Sequence, residues 1–512
     1  MPDTPQQTVH ASSLPIGKPG ISACLSFVDT RAGLETWLGL FNYQLGNYGC
    51  TSVKLSAYVV PAPGESELKL LWQAVSDKPN LFSLRVNDWL TEFCGNLVLI
   101  AEQSGGRPSP PILQSYKAFR FSDGSLTSQH SEGPLVRMAP PVEHWGYDLE
   151  PGYEDIELIF QNHSICESDE ATIEFFDASG RALNEQYAAT VPPLGWHCVR
   201  IPEALPLVAR AMRDGRLTAR VRHKLNPQRP LYRIHDCGKF ILNHASGTTD
   251  TLFTKPRGQI TRYPVSEHFL GEIYPLLPLD GRDDISAFVD NFFYPEEPYA
   301  IAIQVFDQQG RPVGLEPAFA QVPPRGVVEL TAQQVLQRFE LPASFRGHCI
   351  LGIGGASDGL SPRGRITQSV RVRGRKTGSM INGGYVMNTQ KLAGDRGLGG
   401  RRNRTFSPVW ATDAVATELV LFNNSSFTEY QGSAAYQLNL YGSNGLVSSS
   451  NRRIGNGQMQ RIDMAGEIRE ELAQEHREPL MWAEVRSVEA QIPGLCLHRM
   501  PGWTDIDHMF GG

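Results

Sequence analysis

The sequence predicts an all-β protein made of four tandem antiparallel β-sandwich units, a repeat that is compatible with pseudo-symmetry. Glycine and proline account for 49 and 36 of the 512 residues, about one residue in six, so long helices are not expected. Hydrophobic residues at 41% and charged residues at 20% are ordinary globular values and exclude a disordered or fibrous chain. A period near 128 residues, a quarter of the length, supplies the third observation.

The first two marks of the repeat are strand ends. An apolar strand stops at a polar residue, and taking Asn42, Gln161, Asp290 and Asn423 as equivalent gives separations of 119, 129 and 133 residues. A second strand, alternating in polarity, runs into a glycine-ended turn at 177–180, 307–310 and 442–445. Alternation closed by such a turn predicts a β-hairpin, because glycine tolerates positive φ.

The other two marks follow in the same order. V-P-P-x-G stands at 191–195 and 322–326, with a degenerate I-G-N-G at 454–457, and proline suits a turn that needs no ladder donor. A closing strand ends each unit, at 95–100, 215–221, 347–353 and 480–485. Short strands with turn signals every ~8 to 12 residues are typical of a two-sheet sandwich.

These marks place the units at 21–140, 154–268, 284–405 and 414–512. The segments at about 103–153, 222–283 and 360–413 are too long for simple linkers, so they are expected to contain further strands or loops that pack between units.

Charge and cysteine usage suggest a cytoplasmic protein with no membrane span. The formal charge of −7 argues against bulk nucleic-acid binding. The eight cysteines never form C-x-x-C, which favours reduced thiols. No apolar run approaches the ~18 residues of a membrane helix, and residues 1–27 lack the pattern of a signal peptide.

One histidine recurs after the closing strand. His130, His244 and His508 all occur in the form [Gln/Asn/Asp]-His-x-x-Gly, whereas the third unit has Thr389 in the corresponding region. If the units close into a ring, three imidazoles at its centre would hold one transition metal, namely Zn, Fe or Cu. The alternative is a turn inherited by every repeat, with histidine capping the backbone and no convergence.

A basic segment lies at the third junction. Residues 363–404 contain eleven basic residues, one acid and nine glycines. Arginine forks match carboxylates and phosphates, which predicts a site for an anionic small molecule or protein partner. Internal packing, self-association and a mobile loop are the alternatives. The candidate ligand-binding residues are Arg371, Arg373, Arg375, Arg401, Arg402 and Arg404.

Two functions follow. The first is a binding or assembly protein that recognises an anionic ligand or partner through residues 363–404. The second is a metal-dependent enzyme, a hydrolase, lyase or oxygenase, with His130, His244 and His508 as ligands and arginines orienting an anionic substrate.

Overall fold

The computed structural model shows an all-β protein, with 60% strand and 9% helix, as the sequence predicts. Its strands form eight small antiparallel sheets in repeating units. It describes residues 7–511 except 111–112, 114, 131–132, 138–140, 146–148, 150–154, 225–229, 237, 245–246, 249–273, 292–297, 355–366, 374–379, 383–402, 425–431, 469–478 and 491.

The first two units contain most of the helical turns. Unit 1 comprises β1 (Thr8–His10), β2 (Ile21–Asp29), β3 (Glu35–Phe41), α1 (Gln44–Tyr48), β4 (Ser52–Val59), β5 (Glu67–Ser76), β6 (Leu81–Arg85), β7 (Cys94–Ser104), β8 (Ser115–Arg120) and β9 (Leu126–His130), with 3-10 turns at Ala11–Ser13 and Val86–Asp88. Unit 2 comprises β10 (Val142–Trp145), β11 (Asp155–Gln161), β12 (Asp169–Asp177), β13 (Ala182–Val191), β14 (Trp196–Arg200), α2 (Ile201–Ala204), α3 (Pro206–Asp214), β15 (Leu217–His223), β16 (Leu231–Asp236), β17 (Lys239–His244) and β18 (Gly247–Thr248).

The other two units repeat this order. Unit 3 comprises β19 (Tyr274–Pro278), β20 (Asp284–Asp290), β21 (Tyr299–Asp307), β22 (Pro312–Val322), β23 (Val327–Thr331), α4 (Ala332–Arg338), β24 (Gly347–Gly354), β25 (Thr367–Arg373) and β26 (Met380–Asn382). Unit 4 comprises β27 (Asn403–Trp410), β28 (Ala416–Phe422), β29 (Ala434–Gly442), β30 (Gly445–Ile454), β31 (Met459–Asp463), α5 (Met464–Glu467), β32 (Leu480–Ser487), β33 (Gly494–Met500), β34 (Trp503–His508) and β35 (Phe510–Gly511).

Eight strand positions, which we call A to H in chain order, recur in every unit. They are β2–β9, β10–β17, β19–β26 and β27–β34. One sheet has the order D-C-F-A and the other E-B-G-H, so each unit is a sandwich of two sheets with four shared strands each. The strands β1, β18 and β35 add a fifth strand to the D-C-F-A sheets of units 1, 2 and 4. Position A of units 2, 3 and 4 starts at 142, 274 and 403, before the unit starts of 154, 284 and 414 inferred from the sequence.

A buried asparagine directly follows strand B in all four units. Its backbone N–H donates to the carbonyl of the residue that precedes strand E, over 2.9 to 3.3 Å. Its side-chain amide donates to the carbonyl of the last residue of strand D in units 2, 3 and 4, and to the Lys78 carbonyl just beyond strand D in unit 1. The four are Asn42, Asn162, Asn291 and Asn423. These shared hydrogen bonds, which hold the D–E turn, identify Asn162 and Asn291 as the equivalents of Asn42 and Asn423. Both lie one residue beyond the predicted Gln161 and Asp290.

The C–D turn of each unit contacts the D–E turn of the next unit. The C–D turn of unit 2 lies on the D–E turn of unit 3, where Val327 donates to the Ala178 carbonyl at 3.2 Å. A Cβ at Gly180 would overlap the Pro324 carbonyl oxygen, and one at Gly310 would overlap Asn456 of unit 4. Both repeated turn motifs are therefore junction elements.

Unit 4 closes the ring onto unit 1. The side chain of Asn80 in unit 1 donates to the Ser443 carbonyl of the unit 4 C–D turn at 2.7 Å. The Phe41 ring stacks on Trp482 with centroids 5.6 Å apart, and the Trp410 indole donates to the Tyr116 hydroxyl at 3.0 Å. The four units thus form a closed ring.

Buried ion pairs span two junctions. Between units 1 and 2, Arg233 is 3% exposed and bonds Asp29 at 2.8 Å. Between units 3 and 4, Asp283 is 3% exposed and receives Arg499 at 2.6 Å and Arg461 at 3.1 Å. In the described part of the chain, no helix combines the length and apolar character needed to cross a membrane.

Candidate metal centre

Strand H of each unit lies at the centre of the ring. β9 contacts β17 and β34, and β26 contacts the same two strands, so the four H strands form a closed circuit. Since each H strand pairs with only its own G strand within its sheet, its other side is turned to the neighbouring units. Residues on these strands therefore come together from sequence positions more than 100 residues apart.

Backbone register shows that the three predicted histidines are structurally equivalent. In every unit, the strand B residue that lies three positions before the buried asparagine pairs with one residue of strand G. That G-strand residue pairs with His130 in unit 1, His244 in unit 2, Asn382 in unit 3 and His508 in unit 4. Asn382, not Thr389, thus occupies the fourth position, and Thr389 lies outside the described residues. Strand H of unit 3 ends at 382, seven residues before Thr389.

The His130 ring contacts both of the other two histidines. The Nε2 atoms of His130 and His244 are 3.5 Å apart, and the ring centroids of His130 and His508 are 4.5 Å apart. His130 is 6% exposed and His244 1% exposed, while His508 is partly exposed. The repeated-turn alternative requires no such convergence.

Asp507 faces His130 across the junction between units 4 and 1. Its two carboxylate oxygens lie 3.1 and 3.2 Å from Nδ1 of His130. Burial favours the neutral acid, but His130 and His508 outweigh it and hold the pKa of the Asp507 carboxyl below its usual value. Asp507 therefore accepts the Nδ1 proton of His130, and in the neutral ring Nε2 carries the lone pair toward His244.

The backbone next to these rings is held by matching hydrogen bonds. The His508 N–H donates to the Asp507 carboxylate at 2.7 Å, and the His244 N–H donates to the Asn243 amide oxygen at 2.8 Å. The His508 ring donates from Nδ1 to the Met509 carbonyl at 3.2 Å, so its Nε2 carries the lone pair in the neutral ring. The recurring Gln/Asn/Asp before each histidine thus has a structural role in at least two units.

A second layer fixes β34 against β9. The Asp505 carboxylate accepts the backbone N–H of Ser128 at 3.2 Å and also binds the Ser128 hydroxyl. The Trp503 indole donates to the Leu126 carbonyl at 2.6 Å. Because both strands are buried at these contacts, the positions of His130 and His508 are set by a rigid support.

This arrangement fits a transition-metal ion. Two nitrogens bound to one tetrahedral zinc at 2.0 to 2.1 Å are about 3.3 Å apart, close to the 3.5 Å between His130 and His244. One ligand-type atom from each of His130, Asp507 and His508 lies within 4.8 Å of the others, and this group does not include His244. In such sites a carboxylate often accepts a hydrogen bond from the ring nitrogen of the ligating histidine that does not bind the metal.

Three of the six predicted anion-binding arginines lie in the described part of the chain. Arg371 and Arg373 lie on β25, paired with Ser286 and Asp284 of β20, and Arg375, Arg401 and Arg402 lie outside the described residues. Arg404 is 8% exposed in β27 and bonds Glu484 at 3.1 Å, and Glu484 is 1% exposed. Arg404 therefore packs inside the chain, which matches the internal alternative for this residue.

Asp507 was not among the site residues predicted from the sequence. The polar residue before the histidine in three units is also compatible with the repeated-turn alternative. Asp507 in unit 4 and His130 in unit 1 are 377 residues apart in the sequence, so only closure of the ring brings them into contact.

A scan against protein-family models and a search of curated proteins find no match for this chain.

Proposed function

We propose that the protein binds one divalent transition metal at the centre of its ring through His130, His244 and His508, with Asp507 orienting His130. The observation that carries this proposal is the 3.5 Å separation of two Nε2 atoms, one of which belongs to a ring whose Nδ1 faces a carboxylate. Neutral imidazoles suit Zn, Cu and Fe.

The ligands belong to three different units, so bound metal would tie units 1, 2 and 4 together. Binding free energy that requires the closed ring adds to the stability of the closed ring. The metal is therefore proposed to act as a central clasp for a ring scaffold. The enzyme hypothesis uses the same three ligands and would add a reaction on the side of Asn382.

Metal analysis after separate loading with Zn²⁺, Fe²⁺ or Cu²⁺ and gel filtration tests this proposal. We expect about one ion per chain for at least one metal. His244→Ala and His508→Ala should lose that ion, while His197→Ala should keep it, because His197 bonds Tyr187 on another part of unit 2. Absence of metal in the parent protein, or full retention by His244→Ala, would leave a purely hydrogen-bonded histidine cluster.

Recognition of an anionic small molecule or protein partner by residues 363–404 stays a proposal. Its support is the charge of this segment, eleven basic residues against one acid. Salt-sensitive retention on an anionic resin, weakened by neutralising Arg401 and Arg402, is the expected result. Retention that does not change with salt would contradict it.

A cytoplasmic location is also proposed. The seven cysteines in the described part of the chain are all thiols and form no disulfide, which suits a reducing compartment. Fractionation of the producing cell, with a cytoplasmic and an exported marker, would test this location.

A further inference from the structure

Lys117 is a buried lysine at the junction between units 1 and 2. It belongs to β8 and is 2% exposed. Alternate residues of a strand share a face, so Ser115 and Phe119 lie on the same face as Lys117. The Ser115 hydroxyl lies 3.3 Å from the Cys24 thiol, and the Phe119 ring centroid lies 5.4 Å from the central carbon of the Arg233 guanidinium. Lys117 is therefore placed between Cys24 of β2 and Arg233 of β16.

Burial favours the neutral amine of Lys117. Loss of hydration holds the pKa of Lys117 well below the usual lysine value; the Cys24 thiol opposes this shift, and the positive charge of Arg233 adds to it. A neutral lysine amine in a desolvated site is a nucleophile. Lys117 thus carries a reactive group that the proposed metal centre does not use.

The Arg233 guanidinium is bonded on one side only. Its Nη1 donates to Asp29 at 2.8 Å and to Glu157 at 3.4 Å. Among the residues that the structure describes, Nε and Nη2 have no hydrogen-bond partner, although Arg233 is 3% exposed. Nε and Nη2 form the fork with which an arginine binds both oxygens of a carboxylate. This fork is therefore available to a planar anionic group.

His163 supplies further polar atoms near Lys117. It directly follows the buried Asn162 and is itself fully buried, and neither of its ring nitrogens has a hydrogen-bond partner in the described part of the chain. Burial, and then the positive charge of Lys117, hold the pKa of His163 well below its usual value, while the Pro134 carbonyl favours the protonated ring. The neutral ring keeps a lone pair that can accept a proton. Conversion of Lys117 to an anion would favour that protonation.

We propose that Lys117 forms a reversible carbamate with carbon dioxide, that the Arg233 fork binds this carbamate, and that His163 accepts the released proton. The Nζ lone pair forms a bond to the carbon of carbon dioxide, one C–O π bond breaks, and its electron pair becomes the negative charge on oxygen. The proton that leaves Nζ passes to His163, so one anion and one cation form together and no oxidant or reductant is needed. The Phe27 and Phe240 ring centroids lie 5.1 and 4.4 Å from the central carbon of Arg233, which gives the small apolar reactant a suitable environment.

The carbamate would connect two units. Lys117 belongs to unit 1, whereas Arg233 and His163 belong to unit 2, so the modified side chain adds a contact across their junction. A ligand that binds only the folded state raises its stability. Carbon dioxide should therefore raise the unfolding temperature. The reaction needs no metal, so it is independent of the proposed metal centre.

Trapping with triethyloxonium tetrafluoroborate, which esterifies carbamates, tests the site in the parent protein. After equilibration with isotope-labelled carbon dioxide, peptide mass spectrometry should place a labelled ethyl carbamate on Lys117. Lys117→Met keeps an unbranched buried side chain and should lose this adduct. Lys239→Met is the matched control and should keep the adduct on Lys117, because Lys239 is also partly buried but is held by Asp123 at 2.5 Å.

Two further measurements test the residues of unit 2 and the link to stability. Arg233→Lys keeps a positive charge beside Asp29 but removes the fork, and His163→Gln removes the proton acceptor, so each should lower the occupancy of the adduct at least tenfold at equal carbon dioxide pressure. At constant pH and ionic strength, carbon dioxide should raise the unfolding temperature of the parent protein and leave that of Lys117→Met unchanged. The proposal is overturned if Lys117 of the parent protein carries no label, if the adduct forms equally in either unit 2 variant, or if carbon dioxide shifts the parent protein and Lys117→Met alike.

Discussion

Replacing Asp507 with asparagine isolates the charge that faces His130. The equivalent residue in unit 2 is Asn243, whose amide oxygen accepts the His244 N–H at 2.8 Å, while Asp507 accepts the His508 N–H at 2.7 Å. Asparagine at 507 should therefore keep the local backbone and lose only the carboxylate. Loss of an outer partner of a ligating histidine lowers metal affinity about 10- to 100-fold, or about 1.4 to 2.7 kcal/mol.

The upper part of this range is expected. Asp507 is 4% exposed, so water screens its charge weakly, and both of its oxygens lie within 3.2 Å of Nδ1. Competition with a chromophoric chelator gives the Kd for the metal that the parent protein retains. Asp283→Asn is the control, because it removes a similarly buried carboxylate at another junction. An unchanged Kd would refute an orienting role, and a loss above about 1000-fold would make Asp507 a direct ligand instead.

Three further outcomes are expected. Gly180→Ala should lower the unfolding temperature more than Gly238→Ala. Both glycines have positive φ, which alone costs an alanine about 1 to 2 kcal/mol, but only at Gly180 would the new methyl group meet the next unit. Equal shifts in unfolding temperature would contradict the junction role. Burial favours the neutral form of Asp283, but Arg499 and Arg461 outweigh this effect and hold the pKa of Asp283 below its ordinary value. The stability that the Asp283 charge contributes is therefore present above the unfolded pKa near 3.8 and is lost as pH falls through the folded pKa. Acid unfolding of Asp283→Asn should lack this component. Arg404→Gln strands the Glu484 charge and should cost about 3 to 5 kcal/mol, whereas adding Glu484→Gln should recover part of the loss in chemical denaturation.

The repeat was predictable because each unit must solve the same local problems. A glycine-ended hairpin turn and a proline-containing turn recur in sequence, and both have local signatures. Their docking on each other was not predictable, since neither turn shows what it contacts. The one-residue offset at Gln161 and Asp290 has the same origin: polar residues are adjacent at this strand end, and only the hydrogen bonds of Asn162 and Asn291 distinguish them.

The candidate metal centre was predictable in part. Recurrence identified His130, His244 and His508, but their meeting depends on ring closure, which rests on contacts such as Phe41 with Trp482. Asp507 was missed because a strand alternates its side chains between two faces, and the sequence does not say which neighbour lies beside each face.

The head-to-tail docking of turns also explains how the centre can be asymmetric. Each unit offers a turn and receives one, which is a heterologous contact that closes after four copies. Four identical chains in such a ring would carry four identical residues on their H strands. Because one continuous chain supplies all four units, each position can differ, and here three equivalent sites are histidine, one is asparagine, and a carboxylate precedes the histidine in unit 4 alone. Covalent linkage thus allows a symmetric scaffold to hold a site with direction.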